Sequence, residues 1–162
     1  MTNVCPELDP VQFVRAEARL LNDARYQDWL TLFAADGHYW VPLAGDRQPD
    51  PEEHVSIAYE DRLLLATRIQ RLQGARAHSL EPGARGLHVL QLPQIDAMAS
   101  DGTTCALYTP FLYVETLGER QTMLAGVWRH QLRRTTGAWE IERKRVDLVN
   151  AAAAHEAIQL FP

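Results

Sequence analysis

Residues 121–148 constrain the fold of this chain more than any other stretch. The first arm reads Gln-Thr-Met-Leu-Ala-Gly-Val-Trp-Arg-His-Gln-Leu-Arg-Arg, and the second reads Trp-Glu-Ile-Glu-Arg-Lys-Arg-Val-Asp-Leu. Thr135-Thr136-Gly137-Ala138 lies between them, with Gly137 able to take the positive φ of a tight turn. A period of two places Leu124, Trp128 and Leu132 on one face of the first arm. The opposite face begins apolar at Met123, Ala125 and Val127, then turns polar at Arg129, Gln131 and Arg133. One end of the hairpin is therefore covered on both faces and the other on one. A lone domain has to cover only one face, so something must account for the second apolar stretch.

The chain before the hairpin starts helical. Asp9-Pro10-Val11-Gln12 supplies an Asp cap, Pro at the first helical position and Gln where a capping box needs it. Val11, Val14, Leu20 and Leu21, with Phe13 and Ala16 or Ala18 beside them, give an apolar face through Asn22. A second helix is expected over 26–33, with Trp29, Leu30, Leu32 and Phe33 inward. Asp36-Gly37 reads as a turn and 38–43 as a strand. After a loop rich in Asp, Pro and Gly, a third helix is expected over 56–73, stopped by Gly74. A polar loop runs from 74 to 86.

From residue 87 the signals are those of strands: 87–92, stopped by Pro93, and 103–117, in which Pro110 calls for an edge position or a bulge. In the last strand the apolar residues change phase, from Trp139 and Ile141 to Val146 and Leu148, which implies a bulge or bend near Arg143. Helices first and antiparallel strands after make an α+β domain: a strongly curved, antiparallel or mixed sheet with about three helices on its concave face. A bent sheet wrapped over helices is a cone with a pocket. The expected organisation is one domain over 1–162, with a flexible tail at 1–9 and a helical part with one short strand at 10–74. The sheet occupies 86–148 and a C-terminal tail 149–162.

At 162 residues the chain is long enough to bury roughly two thirds of its unfolded surface. No apolar run approaches the ~20 residues that span a bilayer, and the first residues lack the basic start and apolar core of a signal peptide. The expectation is therefore a cytoplasmic protein with no membrane contact. Cys5 and Cys105 provide neither a disulfide framework nor zinc spacing. Residues 1–57 hold ten acidic and four basic side chains, the remainder eleven and twelve. That asymmetry fits either a charge-matched partner or solvated helices before a mildly basic sheet. Fifteen of the sixteen basic residues are Arg, with Lys144 the exception.

Sites for chemistry are sparse. Neither cysteine is followed by a His as a Rieske cluster requires, and none of the six histidines pair at i, i+4. Gly83-Ala84-Arg85-Gly86 precedes a strand, so it is no phosphate loop. The basic cluster of Arg129, Arg133, Arg134, Arg143, Lys144 and Arg145 has no aromatic platform beside it for nucleic acid. What remains is acid–base work in a cone holding Asp36, His38, Tyr59, His88 or His130, as in an isomerase or dehydratase. The bland alternative makes Tyr59 and His88 satisfied groups in a core or interface.

Three ordered motifs then give a resemblance. Residues 17–30 (Glu-Ala-Arg-Leu-Leu-Asn-Asp-Ala-Arg-Tyr-Gln-Asp-Trp-Leu), 36–42 (Asp-Gly-His-Tyr-Trp-Val-Pro) and 57–63 (Ile-Ala-Tyr-Glu-Asp-Arg-Leu), running into Arg68-Ile-Gln-Arg-Leu72, resemble the small beta subunit of aromatic-ring-hydroxylating, Rieske-type dioxygenases. The resemblance covers the chain from about Pro10 onward. It implies an NTF2-like cone and a chain with no cofactor, catalytic residue or metal of its own. The partner it implies is a large alpha subunit carrying a Rieske [2Fe-2S] cluster and a mononuclear non-haem Fe(II). The two commonly form an α3β3 hexamer that hydroxylates an aromatic ring with O2 and electrons passed from NAD(P)H by a reductase and ferredoxin. Where that family often shows Ser-Arg-Thr-Arg-His, this chain has Ala84-Arg85-Gly86-Leu87-His88, so the second Arg is missing while Arg85 and His88 remain.

Within the resemblance, interface candidates are Tyr59, Asp61, Arg62 and Arg68 on the expected third helix and Arg85 and His88 before the sheet. The hairpin adds Val127, Trp128, Arg129 and Arg145. Met123, Ala125 and Val127 become candidates for a beta–beta contact around a threefold axis. The alternatives are a stand-alone NTF2-like dehydratase or isomerase and a stand-alone module that binds a small apolar ligand.

Overall fold

The computed structural model describes residues 8–78, 83–153 and 158–162. Helices α1 (Pro10–Asn22) and α2 (Tyr26–Leu30) lead into strand β1 (Phe33–Pro42), a short 3-10 turn, and strand β2 (Ser56–Asp61). Helix α3 (Arg62–His78) follows, then β3 (Arg85–Leu90), β4 (Gln94–Met98), β5 (Thr104–Leu117), β6 (Arg120–Arg133) and β7 (Glu140–Leu148). The seven described strands form one curved sheet in the order β2-β1-β7-β6-β5-β3, with β4 also on β5. β1 and β7 run parallel and every other pair antiparallel, so the sheet is mixed.

The local chemistry explains the frame. Asp9 caps α1, its Oδ1 accepting the Gln12 amide at 2.9 Å, with Pro10 at the start. The α1 stripe Phe13, Val14, Ala18 and Leu21 is buried against the inner face of the sheet. On β6 the alternation holds: Leu124, Trp128 and Leu132 face inward at 3%, 0% and 1% exposure, while Met123 stands 61% exposed on the outside. The anticipated bulge near Arg143 is present. Gln131 pairs with Arg143 but Leu132 pairs with Ile141, so Glu142 is the extra residue. That one-residue slip puts Lys144, Val146 and Leu148 on the inner face with Ile141.

Several sequence expectations are corrected. Residues 56–61 are strand β2 on the edge, not the start of α3, so Tyr59 and Asp61 lie off the helix. Alternating Ile57, Ala58 and Tyr59 suit a strand, and Asp61 ends it by accepting the Leu64 amide at 2.9 Å as a helix cap. Gly74 does not stop α3, which continues to His78. One glycine costs a helix only about 1 kcal/mol, and Ala75, Arg76 and Ala77 are good formers. The second helix ends at Leu30, and β1 already begins at Phe33. Asp36-Gly37 is therefore a bulge inside a strand: the β1–β7 register shifts between Phe33 and His38, where a side chain on Gly37 would strike the Ile141 carbonyl. Residues 10–74 thus carry two strands, not one. Strand β4 was not anticipated. Pro110 needs neither edge nor bulge, because it falls where β3 gives way to β4 beside β5, and its carbonyl accepts from Gln91 at 3.0 Å. Finally, residues 158–162 are no tail: Leu160 and Phe161 are buried at 2% and 1%. Of the N-terminal tail, residues 1–7, including Cys5, lie outside the described residues, whereas Cys105 is a buried free thiol.

Candidate functional site

The interior of the cone is the place where an acid–base site would have to lie, and two layers of polar groups occupy it. The deeper layer centres on Glu17. Its spacing from Phe13, Val14 and Leu21 places a carboxylate in the apolar stripe of α1, where it is fully buried. Lys144 Nζ donates to Oε1 at 2.7 Å and Trp29 Nε1 to the same oxygen at 2.9 Å, while His130 Nε2 meets Oε2 at 2.6 Å. Lys144 also sits 3.3 Å from the centre of the Trp128 ring. Burial alone would raise the Glu17 pKa, but the charges of Lys144 and His130 and their hydrogen bonds hold it well below the carboxylate range. Burial pushes Lys144 down to about 8, with Glu17 opposing. Around this cluster Thr109 Oγ1, Trp128 Nε1 and His130 Nδ1 are buried without a hydrogen-bond partner.

The second layer is organised by residues 158–162. Phe161 packs its ring against Trp29 at 4.7 Å, Tyr26 at 5.6 Å and Tyr39 at 5.8 Å, with the Arg68 guanidinium 4.2 Å above it. His88 Nε2 lies 2.9 Å from the Phe161 carbonyl. A carbonyl oxygen only accepts, so Nε2 donates to it. His88 Nδ1 faces Asn22 Oδ1 at 3.0 Å, an oxygen held in place by the His88 amide at 2.7 Å. Burial, followed by the charge of Lys144, pushes the His88 pKa down to about 3. Tyr113 donates to Glu115 Oε2 at 2.7 Å; burial and that bond push the phenol upward. Tyr113 fits there because Gly86 has no side chain, since a Cβ would lie 2.6 Å from its hydroxyl.

Geometry divides the acid–base candidates. His88 and His130 point inward, whereas Asp36, His38 and Tyr59 lie on the outer face. Asp36 pairs there with Arg133, and His38 stacks on Tyr59 at 4.9 Å and 9°. The five do not converge. Glu17, His130 and Lys144 do meet, but at 0–1% exposure, with their polar contacts directed at one another. Among the described residues no group of three His, Cys, Asp or Glu side chains could hold a metal ion. Two open clefts border this core. One of about 600 Å³ runs along β1, β2 and residues 158–162, and one of about 800 Å³ lies between the α1–α2 turn and β3.

The interface candidates also separate. Trp128 is fully buried and His88 nearly so, making both core residues. Arg68 is held inside by Glu60 at 3.0 Å and the Leu160 carbonyl at 2.6 Å. Asp61 caps α3, and Arg62 donates to the Phe33 carbonyl at 3.2 Å. Arg85 stands exposed at the start of β3. Tyr59, Val127, Arg129 and Arg145 lie on the outer face. There Asp147 accepts from Arg129 at 2.9 Å and from Arg145 at 2.6 Å, and Arg145 covers Trp40 at 4.4 Å. Beside this charged ladder the register lines up apolar rows: Leu87–Val114–Met123, Val89–Leu112–Ala125 and Pro110–Val127. Leu87, Val89, Leu112 and Met123 are each about half exposed.

Sequence reasoning missed Glu17, Lys144, Glu115 and Phe161. Two carried a readable signal. Glu17 falls on the apolar stripe of α1, and Lys144, the lone lysine, is in phase with Val146 and Leu148 past the bulge. Glu115 alternates with buried Phe111 and Tyr113 but gives no sign of its partner.

Comparison with known proteins follows the same line. A family model described as "Ring hydroxylating beta subunit" matches residues 16–154. The small subunit of 2-halobenzoate 1,2-dioxygenase from Burkholderia cepacia is 38% identical over 85 residues, 50% of this chain and 52% of the relative. The match thus spans about half of that relative's length. Chlorobenzene dioxygenase subunit beta from Cupriavidus sp. (strain PS12) is 30% identical over 159 residues, covering 88% of this chain and 82% of the relative. In fold, the beta subunit of benzoate 1,2-dioxygenase from Burkholderia mallei superposes with a TM-score of 0.72 at 23% identity, over 93% of this chain and 94% of that one.

Proposed function

From the premise that this chain belongs to the ring-hydroxylating beta-subunit family, we propose that it is the non-catalytic subunit of an aromatic-ring-hydroxylating oxygenase. Its task is to assemble with a large alpha subunit that holds a Rieske [2Fe-2S] cluster and a mononuclear non-haem Fe(II). Electrons reach that subunit from NAD(P)H through a reductase and ferredoxin, and the assembly is an α3β3 hexamer in the cytoplasm.

The observation that carries the non-catalytic reading is the filled cone. In an NTF2-like dehydratase or isomerase the inward polar groups must face a substrate. Here Lys144, His130 Nε2 and Trp29 all bind Glu17, and Phe161 packs against Trp29, Tyr26 and Tyr39. The observation that supports assembly is the outer face. Half-exposed Leu87, Val89, Leu112 and Met123 form rows next to the Arg129–Asp147–Arg145 ladder, an apolar patch with a polar rim. Tyr59, Val127, Arg129 and Arg145 are the residues proposed to meet partner subunits, with Arg85 at the patch border.

The test is turnover of the assembled oxygenase with His130→Asn in this chain. Ring hydroxylation per iron centre should equal that of the parent complex. A large loss of turnover in a fully assembled, iron-loaded complex would place chemistry in the cone and favour the enzyme alternative.

A further inference from the structure

Leu160, Phe161 and Pro162 are buried, Ile158 is half-buried and Gln159 exposed, and none of the five belongs to a helix or strand. Buried backbone polar groups are ordinarily satisfied by ladders of other backbone groups. In this segment the bonds described all come from side chains. The Glu115 carboxylate accepts the Gln159 amide at 2.8 Å and the Leu160 amide at 3.1 Å. Arg68 donates to the Leu160 carbonyl at 2.6 Å, His88 to the Phe161 carbonyl at 2.9 Å and Tyr39 to the Pro162 carbonyl at 3.2 Å. The four donors and acceptors come from α3, β1, β3 and β5, so the surrounding frame presents them from several sides.

Such an arrangement is how a protein recognises a bound peptide. Side chains of a preformed frame read backbone groups, and a pocket takes one anchoring side chain. The anchor is Phe161, whose ring is enclosed by Trp29, Tyr26, Tyr39 and Arg68. The frame residues also bind one another. Tyr113 supports Glu115, Glu60 supports Arg68, and Asn22 clamps the His88 backbone through both its amide and its carbonyl.

We propose that the mouth of the cone is a peptide-binding site whose resident ligand is the chain's own segment Ile158–Pro162, recognised through its backbone and one phenylalanine. The class of ligand it takes is an extended, phenylalanine-bearing peptide. The same segment from a second copy fits the site equally well once the resident one is absent. The inference stands on these contacts and does not depend on the subunit reading.

The experiment uses a chain lacking Ile158–Pro162 and the synthetic peptide Ile-Gln-Leu-Phe-Pro. Calorimetric titration should give saturable one-to-one binding that raises Tm towards that of the full chain. Full chain should bind none, because its site is filled. A peptide with Ala in place of Phe should bind about a hundredfold more weakly or worse. A folded truncated chain that ignores the peptide, or one with the Tm of the full chain, overturns the proposal. Should the truncated chain fail to fold, hydrogen exchange on the full chain decides. The Gln159 and Leu160 amides should exchange through a local opening, faster than the β5–β6 ladder, and Glu115→Gln should speed those two amides selectively, by about tenfold or more. Exchange of those amides only with global unfolding shows an inseparable piece of core and contradicts a ligand-like role.

Discussion

Lys144, the sole lysine of the chain, donates to Glu17 at 2.7 Å with both side chains fully excluded from solvent. The arginines of the hairpin all lie on its outer face or at the turn. The buried position suits lysine, whose compact ammonium fits over the Trp128 ring and against one carboxylate oxygen.

This pair sets the first prediction. Glu17→Gln leaves an uncompensated buried ammonium and should destabilise the chain by about 3–5 kcal/mol. Lys144→Met should cost less, because Trp29 and His130 still hydrogen-bond the carboxylate. The double variant should recover most of the loss, since a buried pair replaced by neutral groups is often tolerated. Urea unfolding of all four proteins gives the coupling, and additive losses would show that the two groups do not act as a unit.

The second prediction concerns pH. His88 is held at about 3, against an ordinary value of 6.5. Between those values the unfolded chain binds a proton that the folded chain refuses, so stability is full above about pH 6.5 and is lost as pH falls towards 3. One pKa unit corresponds to about 1.4 kcal/mol, so from pH 7 to pH 5 the chain should lose about 2 kcal/mol. Glu17, with a depressed pKa, adds its own loss only below its ordinary value of 4.5. Tm measured across this range should fall for the parent chain and stay flatter for His88→Gln. An NMR titration of the His88 ring near pH 6.5 in the folded chain would contradict the assignment.

Gly86 gives a third. A methyl group there would meet the Tyr113 hydroxyl at 2.6 Å and its ring edge at 2.8 Å. Gly86→Ala should therefore cost about 1–3 kcal/mol by overpacking. Because Tyr113 supports Glu115, it should also loosen residues 159–160, read as faster exchange of their amides. Adding Tyr113→Phe should relieve part of the clash but not restore the Glu115 bond. Unchanged stability of Gly86→Ala would mean that the close approach is not real.

The fourth prediction separates folding from assembly. Met123 projects from the outer face at 61% exposure, with Val127 further along the same face. Met123→Asp and Val127→Asp should change the stability of the isolated chain by less than about 1 kcal/mol for the exposed Met123, and somewhat more for half-buried Val127. Both should dissociate the oligomer by breaking the contact proposed between copies of this chain. Intact assembly of both variants would move the interface elsewhere.

The sheet was legible in the sequence wherever alternation was long. β5 and β6 run fourteen residues each, and the phase change in β7 located the bulge. β2 was not legible, because six residues running directly into a helix offer no period of their own to separate strand from first turn. Nor was β4, an exposed edge strand whose five residues all face solvent. Of the interior, Glu17 and Lys144 could have been read as out of place on apolar faces. Their mutual contact, 127 residues apart, could not. The role of Phe161 was hidden for the same reason: a short apolar end has no pattern, and its partners come from four separate elements.

The most direct test of the subunit reading is the native mass of this chain co-expressed with a large Rieske-type oxygenase subunit. The predicted result is a single complex of three copies of each chain, which dissociates on Met123→Asp. A chain that purifies alone as a self-contained oligomer, with no large subunit bound, would contradict it.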